Sequence, residues 1–295
     1  MGLTRRLIAA ALALGLGGAT APAGGASAPP MIRPLAGVRT WVVYYGAEAS
    51  AGPDLARFDV VVLDPHGHPP LPVIKRHGAV VLTYVSLGEV NTSHPEYAAI
   101  KDEPWVLAPN PSWPDARRLD VRAEAYRRWL LDRVVPAALA GPVNGLFLDT
   151  ADSALDLEHT DPARHAGMAQ ALERVLGEMK RRNPRALLML NGGLPVVERR
   201  PEAVDAVALE SIWSDYDFKA QRYRVRPAEE AEARAGLLAR VAALGLPVFT
   251  IEYAAAEPNA RWPSELIRRS RARGFVPYVS TIGLDRVSLL TLSPP

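Results

Sequence analysis

The sequence contains no cysteine. That absence rules out a disulfide brace, a thiol nucleophile and attachment of a lipid through an N-terminal cysteine. A long apolar run is also missing. The stretch Leu7 to Leu16 falls short of the roughly 20 residues a membrane span needs and decays into Gly17, Gly18 and a Pro/Gly/Ser/Ala segment. With Arg5 and Arg6 before it and Ala-Pro-Ala and Ala-Ser-Ala after it, the run has the layout of a secretory signal. Residues 1–28 are therefore expected to be a signal peptide and 29–38 a linker. The mature protein is then secreted or periplasmic, with no stable membrane insertion.

Charge of one sign is scarce as well. The formal charge is +2, and Arg5 and Arg6 account for it, so the mature chain is close to neutral and has no general attraction for nucleic acid or anionic lipid. There is no internal repeat. No Gly-x-Gly-x-x-Gly turn follows the first strand, which counts against an open dinucleotide-binding sheet. No Gly-x-Ser-x-Gly elbow appears, and Ser86 lacks an identifiable base, which counts against serine catalysis.

What is present is enough apolar material for one large core: 48% of the residues are hydrophobic, over about 265 mature positions. Short apolar runs recur at Trp41 to Tyr45, Val60 to Leu63, Val80 to Ser86 and Gly145 to Leu148. Four more follow at Ala186 to Leu190, Val204 to Leu209, Val248 to Ile251 and Phe275 to Val279. Near-continuous hydrophobicity is the mark of parallel strands covered on both faces. Helical stripes lie between them, one carrying Tyr126, Trp129, Leu130 and Val134. A second runs through Met168, Leu172, Val175, Leu176 and Met179, with Asp161-Pro162 expected to open it and Asn183-Pro184 to close it. A third covers Ala228 to Leu244. Eight strands alternating with helices predict an α/β fold, a single (β/α)8 TIM barrel over 39–295.

In such a barrel the active site sits where the strands end. Those ends carry Tyr45, Asp64, Glu89, Asp149 with Asp152, Asn191, Glu210, Glu252 with Tyr253, and Ser280. A single acid there can be a helix cap or the partner of an arginine; five strands ending near acids call for chemistry. Converging carboxylates suit glycoside hydrolysis, in which one carboxyl donates a proton and the other faces the sugar as an anion. They also suit a hard cation. The rim aromatics Tyr45, Trp105, Trp113, Trp213, Tyr216 and Tyr253 favour the sugar, because sugar rings pack on aromatic faces. Asp64-Pro65-His66-Gly67-His68 resembles a metal ligand set, but His77, His94, His159 and His165 offer no pairing at a strand end, so it reads as a polar loop. No cofactor or metal is expected. Two other classes fit the same rim: a non-catalytic polysaccharide-binding barrel and a metal-dependent polysaccharide hydrolase or deacetylase.

The segments Asp64-Pro65, Tyr84-Val85-Ser86-Leu87-Gly88-Glu89, Asn144 to Asp152, Asn191-Gly192-Gly193, Glu210-Ser211 and Glu252-Tyr253-Ala254 together resemble glycoside hydrolase family 114. The match runs from about Trp41 to Val279. That family contains endo-alpha-1,4-polygalactosaminidases and hydrolase domains of exopolysaccharide systems. The resemblance implies a TIM barrel and a secreted enzyme that cleaves an alpha-1,4-linked, galactosamine-containing exopolysaccharide. It implies Asp149 and Glu210 as the catalytic pair, and similarity to retaining barrels with acids on those two strands makes Asp149 the nucleophile and Glu210 the general acid/base; a carboxyl separation of roughly 5 to 5.5 Å then indicates retention and roughly 6.5 to 9.5 Å inversion. Tyr45, Asp64, Glu89, Asp152, Asn191, Trp213, Tyr216, Glu252 and Tyr253 become the residues that bind substrate or tune the acids. Val90 to Pro95 departs from the acidic, aromatic, arginine-bearing segment that often follows Gly-Glu in the family.

Overall fold

The computed structural model describes residues 35–255 and 261–292. The expected signal peptide and most of the expected linker lie outside the described residues. Leu35, at the start of the described chain, is buried in the core.

Eight strands form one sheet: β1 (Trp41–Tyr44), β2 (Val60–Leu63), β3 (Val80–Ser86), β4 (Gly145–Asp149), β5 (Leu187–Asn191), β6 (Ala206–Glu210), β7 (Val248–Tyr253) and β8 (Val276–Ser280). They pair in parallel and in chain order. The first and last strands lie against each other, nearly closing the (β/α)8 barrel. Each strand coincides with one of the apolar runs in the sequence, to within two residues at its start. The physical reason is coverage: helices outside and side chains inside leave neither strand face to water.

Alternation along each strand sorts its side chains into two cores. Phe147, Met189, Ala206, Ala208, Phe249 and Ile251 belong to the barrel interior. Leu146, Leu148, Leu188, Leu190, Val207, Leu209 and Val248 pack under the helices. The interior is plugged by Trp41, whose ring lies 5.2 Å from Phe249, 6.2 Å from Phe147 and 6.4 Å from Tyr278. Counting two residues onward from Phe147, Met189 and Ala208 reaches Asp149, Asn191 and Glu210, so these three enter the barrel mouth. The same count from Ile251 reaches Tyr253 and leaves Glu252 on the outer face.

Among the described residues the α-helices of six or more residues are α1 (Glu124–Trp129), α2 (Ala151–Thr160), α3 (Met168–Arg182), α4 (Leu194–Arg199), α5 (Ala228–Ala243) and α6 (Arg261–Ala272). α1 runs on through a π-helical turn, Leu130–Val134, into Val135–Ala138. The widened turn sits before Pro136, which has no N–H to give and whose ring crowds the preceding carbonyls. The expected start of the second helix is corrected. Asp161 and Pro162 open a separate short helix, Pro162–His165, and α3 starts only after Gly167, at φ 90°. The Glu158 carboxylate caps α3 by accepting the N–H groups of Gly167 and Ala169, each at 2.7 Å.

Both long connections carry strands of their own. After β3 come Glu89–Asn91, Val106–Asn110 and Trp113–Leu119, an antiparallel sheet of three. After β6 comes the hairpin Ser214–Asp217 and Arg222–Val225. The two additions meet where the Trp113 ring stands edge-on to Phe218 at 4.7 Å.

Candidate active site

The carboxyls of Asp149 and Glu210 share one donor. The Asn191 amide nitrogen donates to Asp149 Oδ1 at 2.9 Å and to Glu210 Oε1 at 2.8 Å. The two oxygens therefore lie less than about 5.7 Å apart, the sum of those bonds. Each acid also holds a tyrosine: Tyr84 donates to Asp149 Oδ2 at 3.0 Å, and Tyr253 to Glu210 Oε2 at 2.6 Å. Asn191 Oδ1 is buried and has no hydrogen-bond partner among the described residues, which leaves an acceptor beside both acids.

This environment pushes both proton affinities upward. Burial raises Asp149, against the pull of the Thr150 main chain, Asn191 and Tyr84. Burial raises Glu210 to about 8, reinforced by the charge of Asp149 and opposed by Tyr253, Asn191 and Arg234. Removing a carboxyl from water disfavours its anion, and two adjacent carboxyls cannot ionise independently. The two acids therefore titrate as one coupled pair, with the charge of Asp149 favouring the protonated form of Glu210.

A cavity of about 700 Å³ opens on Asp149 and runs past Tyr45, Glu89, His94, Trp113 and Arg133. Tyr45 lines it with its ring edge-on to Tyr84 at 5.4 Å. Glu89 lines it too, with Oε1 accepting from Asn110 and Ser153 and burial raising its proton affinity. Asp64 is buried and accepts the His66 N–H at 2.7 Å, which shapes the loop after β2. Asp152 accepts the Gly193 N–H at 2.9 Å and, pushed up to about 6 by burial, braces the turn after β5. A side chain at Gly192 would collide with it, since an added Cβ would stand 2.1 Å from Asp152 Oδ2. Tyr216 lies between Phe218 and Tyr223, each 4.9 Å away.

Two expected substrate contacts, Trp213 and Glu252, are corrected, and Tyr253 is placed against Glu210. Trp213 is 1% exposed, packs in the outer core, donates its indole N–H to Ser270 Oγ and has the Arg269 guanidinium over its ring at 4.1 Å. Glu252 is fully buried on the outer face of β7, where it accepts the N–H groups of Ile212, Trp213 and Ser214 and the Ser214 hydroxyl. Tyr253 is inside but fully buried, and its hydroxyl serves Glu210. Trp105 is likewise core, against Tyr126 and Trp129. Glu252→Ala is expected to lower stability by about 3 kcal/mol or more, because several buried donors lose their acceptor. Denaturant unfolding measures it, and a change below about 1 kcal/mol would contradict this role.

Tyr84 was hidden in plain sequence: two residues before Ser86 on β3, it shares the inward face with the acids. The His66 ring packs edge-on to His94 at 5.5 Å, and His68 Nδ1 bonds the Pro69 carbonyl at 2.8 Å. Among the described residues no group of three His, Asp or Glu side chains gathers as a metal site, and no helix is long and apolar enough to cross a membrane.

The comparisons agree with this fold. The glycoside hydrolase domain of PelA from Pseudomonas aeruginosa superposes with a TM-score of 0.72 at 31% identity, covering 85% of this chain and 98% of that one. Ega3 from Aspergillus fumigatus, in complex with galactosamine, shares the fold at 17% identity and a TM-score of 0.63, covering 88% of this chain and 98% of that one. An alpha-galactosidase from Thermus thermophilus shares it at 16% identity and a TM-score of 0.54, covering 85% and 59%. No curated protein matches. The model of glycoside hydrolase family GH114 matches residues 21–293. This chain is a glycoside hydrolase and belongs to that family.

Proposed function

We propose that the enzyme is exported and cleaves an alpha-1,4-linked polymer containing galactosamine, with Asp149 as nucleophile and Glu210 as acid and then base. The observation that carries the mechanism is the Asn191 amide bonded to both carboxyls. An oxygen separation below about 5.7 Å favours the roughly 5 to 5.5 Å carboxyl spacing of retaining enzymes over the roughly 6.5 to 9.5 Å of inverting ones. Asp149 attacks the anomeric carbon while Glu210 passes its proton to the departing glycosidic oxygen. Water then enters, Glu210 takes its proton, and the bond to Asp149 breaks. Tyr84 and Asn191 hold the Asp149 carboxylate in place as its charge is spent and regained.

For the sugar, the support is charge and kinship. Glu89, Glu96, Asp115 and Asp149 line the cavity, with Arg133 as a cation in the same wall. Arg133 is already paired with Glu96 at 2.7 Å. Such a cleft attracts protonated amines without a net charge on the protein, and galactosamine is the sugar bound in the Aspergillus relative. The test is release of soluble oligosaccharides from partially deacetylated alpha-1,4-linked galactosamine polymer. Release is expected from the native enzyme, and its absence at high enzyme concentration would overturn the substrate. Sequencing the N-terminus of exported protein tests the signal, with a start between Ala21 and Ala28 expected.

A further inference from the structure

Both acids are followed by a residue in the left-handed region that is not glycine: Thr150 at φ 63° after Asp149, and Ser211 at φ 57° after Glu210. Such a conformation is unfavourable for these side chains and persists only where the surroundings impose it. After Asp149 the surroundings are hydroxyls and an amide. Thr150 Oγ1 donates to the Asp149 carbonyl at 2.7 Å, accepts the Gly88 N–H at 2.8 Å and meets Ser86 Oγ at 2.7 Å. After Glu210 the Ser211 N–H donates to the Ile251 carbonyl at 2.8 Å and Glu252 accepts the next three N–H groups, but Ser211 Oγ is buried with no hydrogen-bond partner among the described residues.

Two guanidinium groups hold the carbonyls of this turn. Arg234 on α5 donates Nη2 to the Glu210 carbonyl at 2.7 Å, and Arg226 donates Nε to the next carbonyl, Ser211, at 2.9 Å. Arg226 is itself fixed on three sides, by Asp215 at 3.3 Å, by Glu230 at 3.1 Å and through its own N–H to the Trp213 carbonyl at 2.9 Å. Arg234 is anchored less completely. Its Nε is buried with no hydrogen-bond partner among the described residues, and burial lowers its own proton affinity. A neutral donor would hold one carbonyl without burying a charge, so a cation here calls for more than an attachment of α5 to the barrel.

We propose that Arg234 and Arg226 are positioning residues for Glu210, clamping the turn behind it so that its carboxyl stays in line with Asn191, Tyr253 and Asp149. The proposal rests on the reading of Glu210 as the acid. Arg234 has a second effect through its charge. The charged or titratable groups facing Glu210 are Asp149 from β4, Tyr253 from β7 and Arg234 from α5; those facing Arg234 are Asp152, Asp215, Arg226 and Glu252. The cation favours the Glu210 anion, opposing Asp149 and burial, so its loss makes Glu210 keep its proton to higher pH.

The test compares kcat, KM and the pH profile of kcat/KM for Arg234→Gln, Arg234→Lys and Arg226→Gln on the galactosamine polymer, with Glu210→Gln as control. Arg234→Gln is expected to lose about 10- to 100-fold in kcat with KM changed less than about threefold, as for a misplaced catalytic group. Its alkaline limb moves to higher pH. Arg234→Lys, which keeps the charge and one donor, restores the limb and part of kcat. Should Arg234→Gln fail to fold, Arg226→Gln carries the test, with the same kcat loss and a smaller shift of the limb. Native kcat and an unmoved limb in all three, beside an inactive Glu210→Gln, would overturn the proposal. An active Glu210→Gln would overturn the reading of the acid instead.

Discussion

Glu210→Gln is expected to lose about 10²- to 10⁴-fold in hydrolysis of the polymer, the range general acid catalysis supplies, yet to keep far more of its kcat/KM on a glycoside with a nitrophenolate leaving group. Such a group departs without a proton, so the first step no longer needs the acid. Asp149→Asn is expected to lose at least about 10³-fold on both substrates, because every leaving group needs the nucleophile. The difference between the two variants assigns the roles. Equal losses on both substrates for both variants would remove the distinction between nucleophile and acid. Both substitutions keep a side chain able to bond Asn191, so unfolding is not the expected cause.

The second large effect is on pH. In the proposed mechanism Glu210 works protonated in the first step, and it is pushed up to about 8 by burial and by Asp149. Activity is therefore expected to fall as pH rises through about 8. In the same mechanism Asp149 works as an anion and is raised by burial, so activity is also expected to fall on the acid side, at a pH above that of an ordinary aspartate. In Glu210→Gln the alkaline limb should disappear on the nitrophenyl substrate.

The same shift enters stability with a definite sign. The folded state holds the Glu210 proton up to about 8, whereas the unfolded chain releases it near the ordinary glutamate value of about 4.3. The stabilising contribution is thus fully present below about 4.3 and is lost as pH rises through the folded value, at no more than about 1.4 kcal/mol per unit. Glu210→Gln cannot ionise and escapes that loss. It is expected to match the native enzyme near pH 4 and to exceed its stability at pH 9, measured by denaturant midpoints. A native enzyme that is the more stable of the two at pH 9 would contradict the buried, protonated acid.

The barrel was legible in the sequence because each strand is short, apolar and closed by a polar residue, and parallel strands covered on both faces leave that trace. Asp149, Asn191 and Glu210 were legible for the same reason, as the polar residues that end such runs. Trp213 and Glu252 were misread because position at a strand end was weighed without side-chain alternation. Counting inward residues along Phe249, Ile251 and Tyr253 turns Glu252 away from the mouth, and Trp213 follows it to the outer core. The added sheet after β3 and the hairpin after β6 had weaker signals. The hairpin turns through Gln221 at φ 49°, where no glycine or asparagine marks it. The arginine clamp left no local trace at all, since Arg226, Arg234 and Glu210 come together only when α5 packs on the barrel.

The most direct test of the mechanism is peptide mass analysis after brief exposure to an activated fluorinated analogue of the sugar, which slows breakdown of a covalent intermediate more than its formation. A glycosyl adduct on the peptide containing Asp149, lost in Asp149→Asn and accumulating in Glu210→Gln, is the predicted result. An enzyme that turns over the polymer with no adduct and releases product of inverted configuration would contradict it.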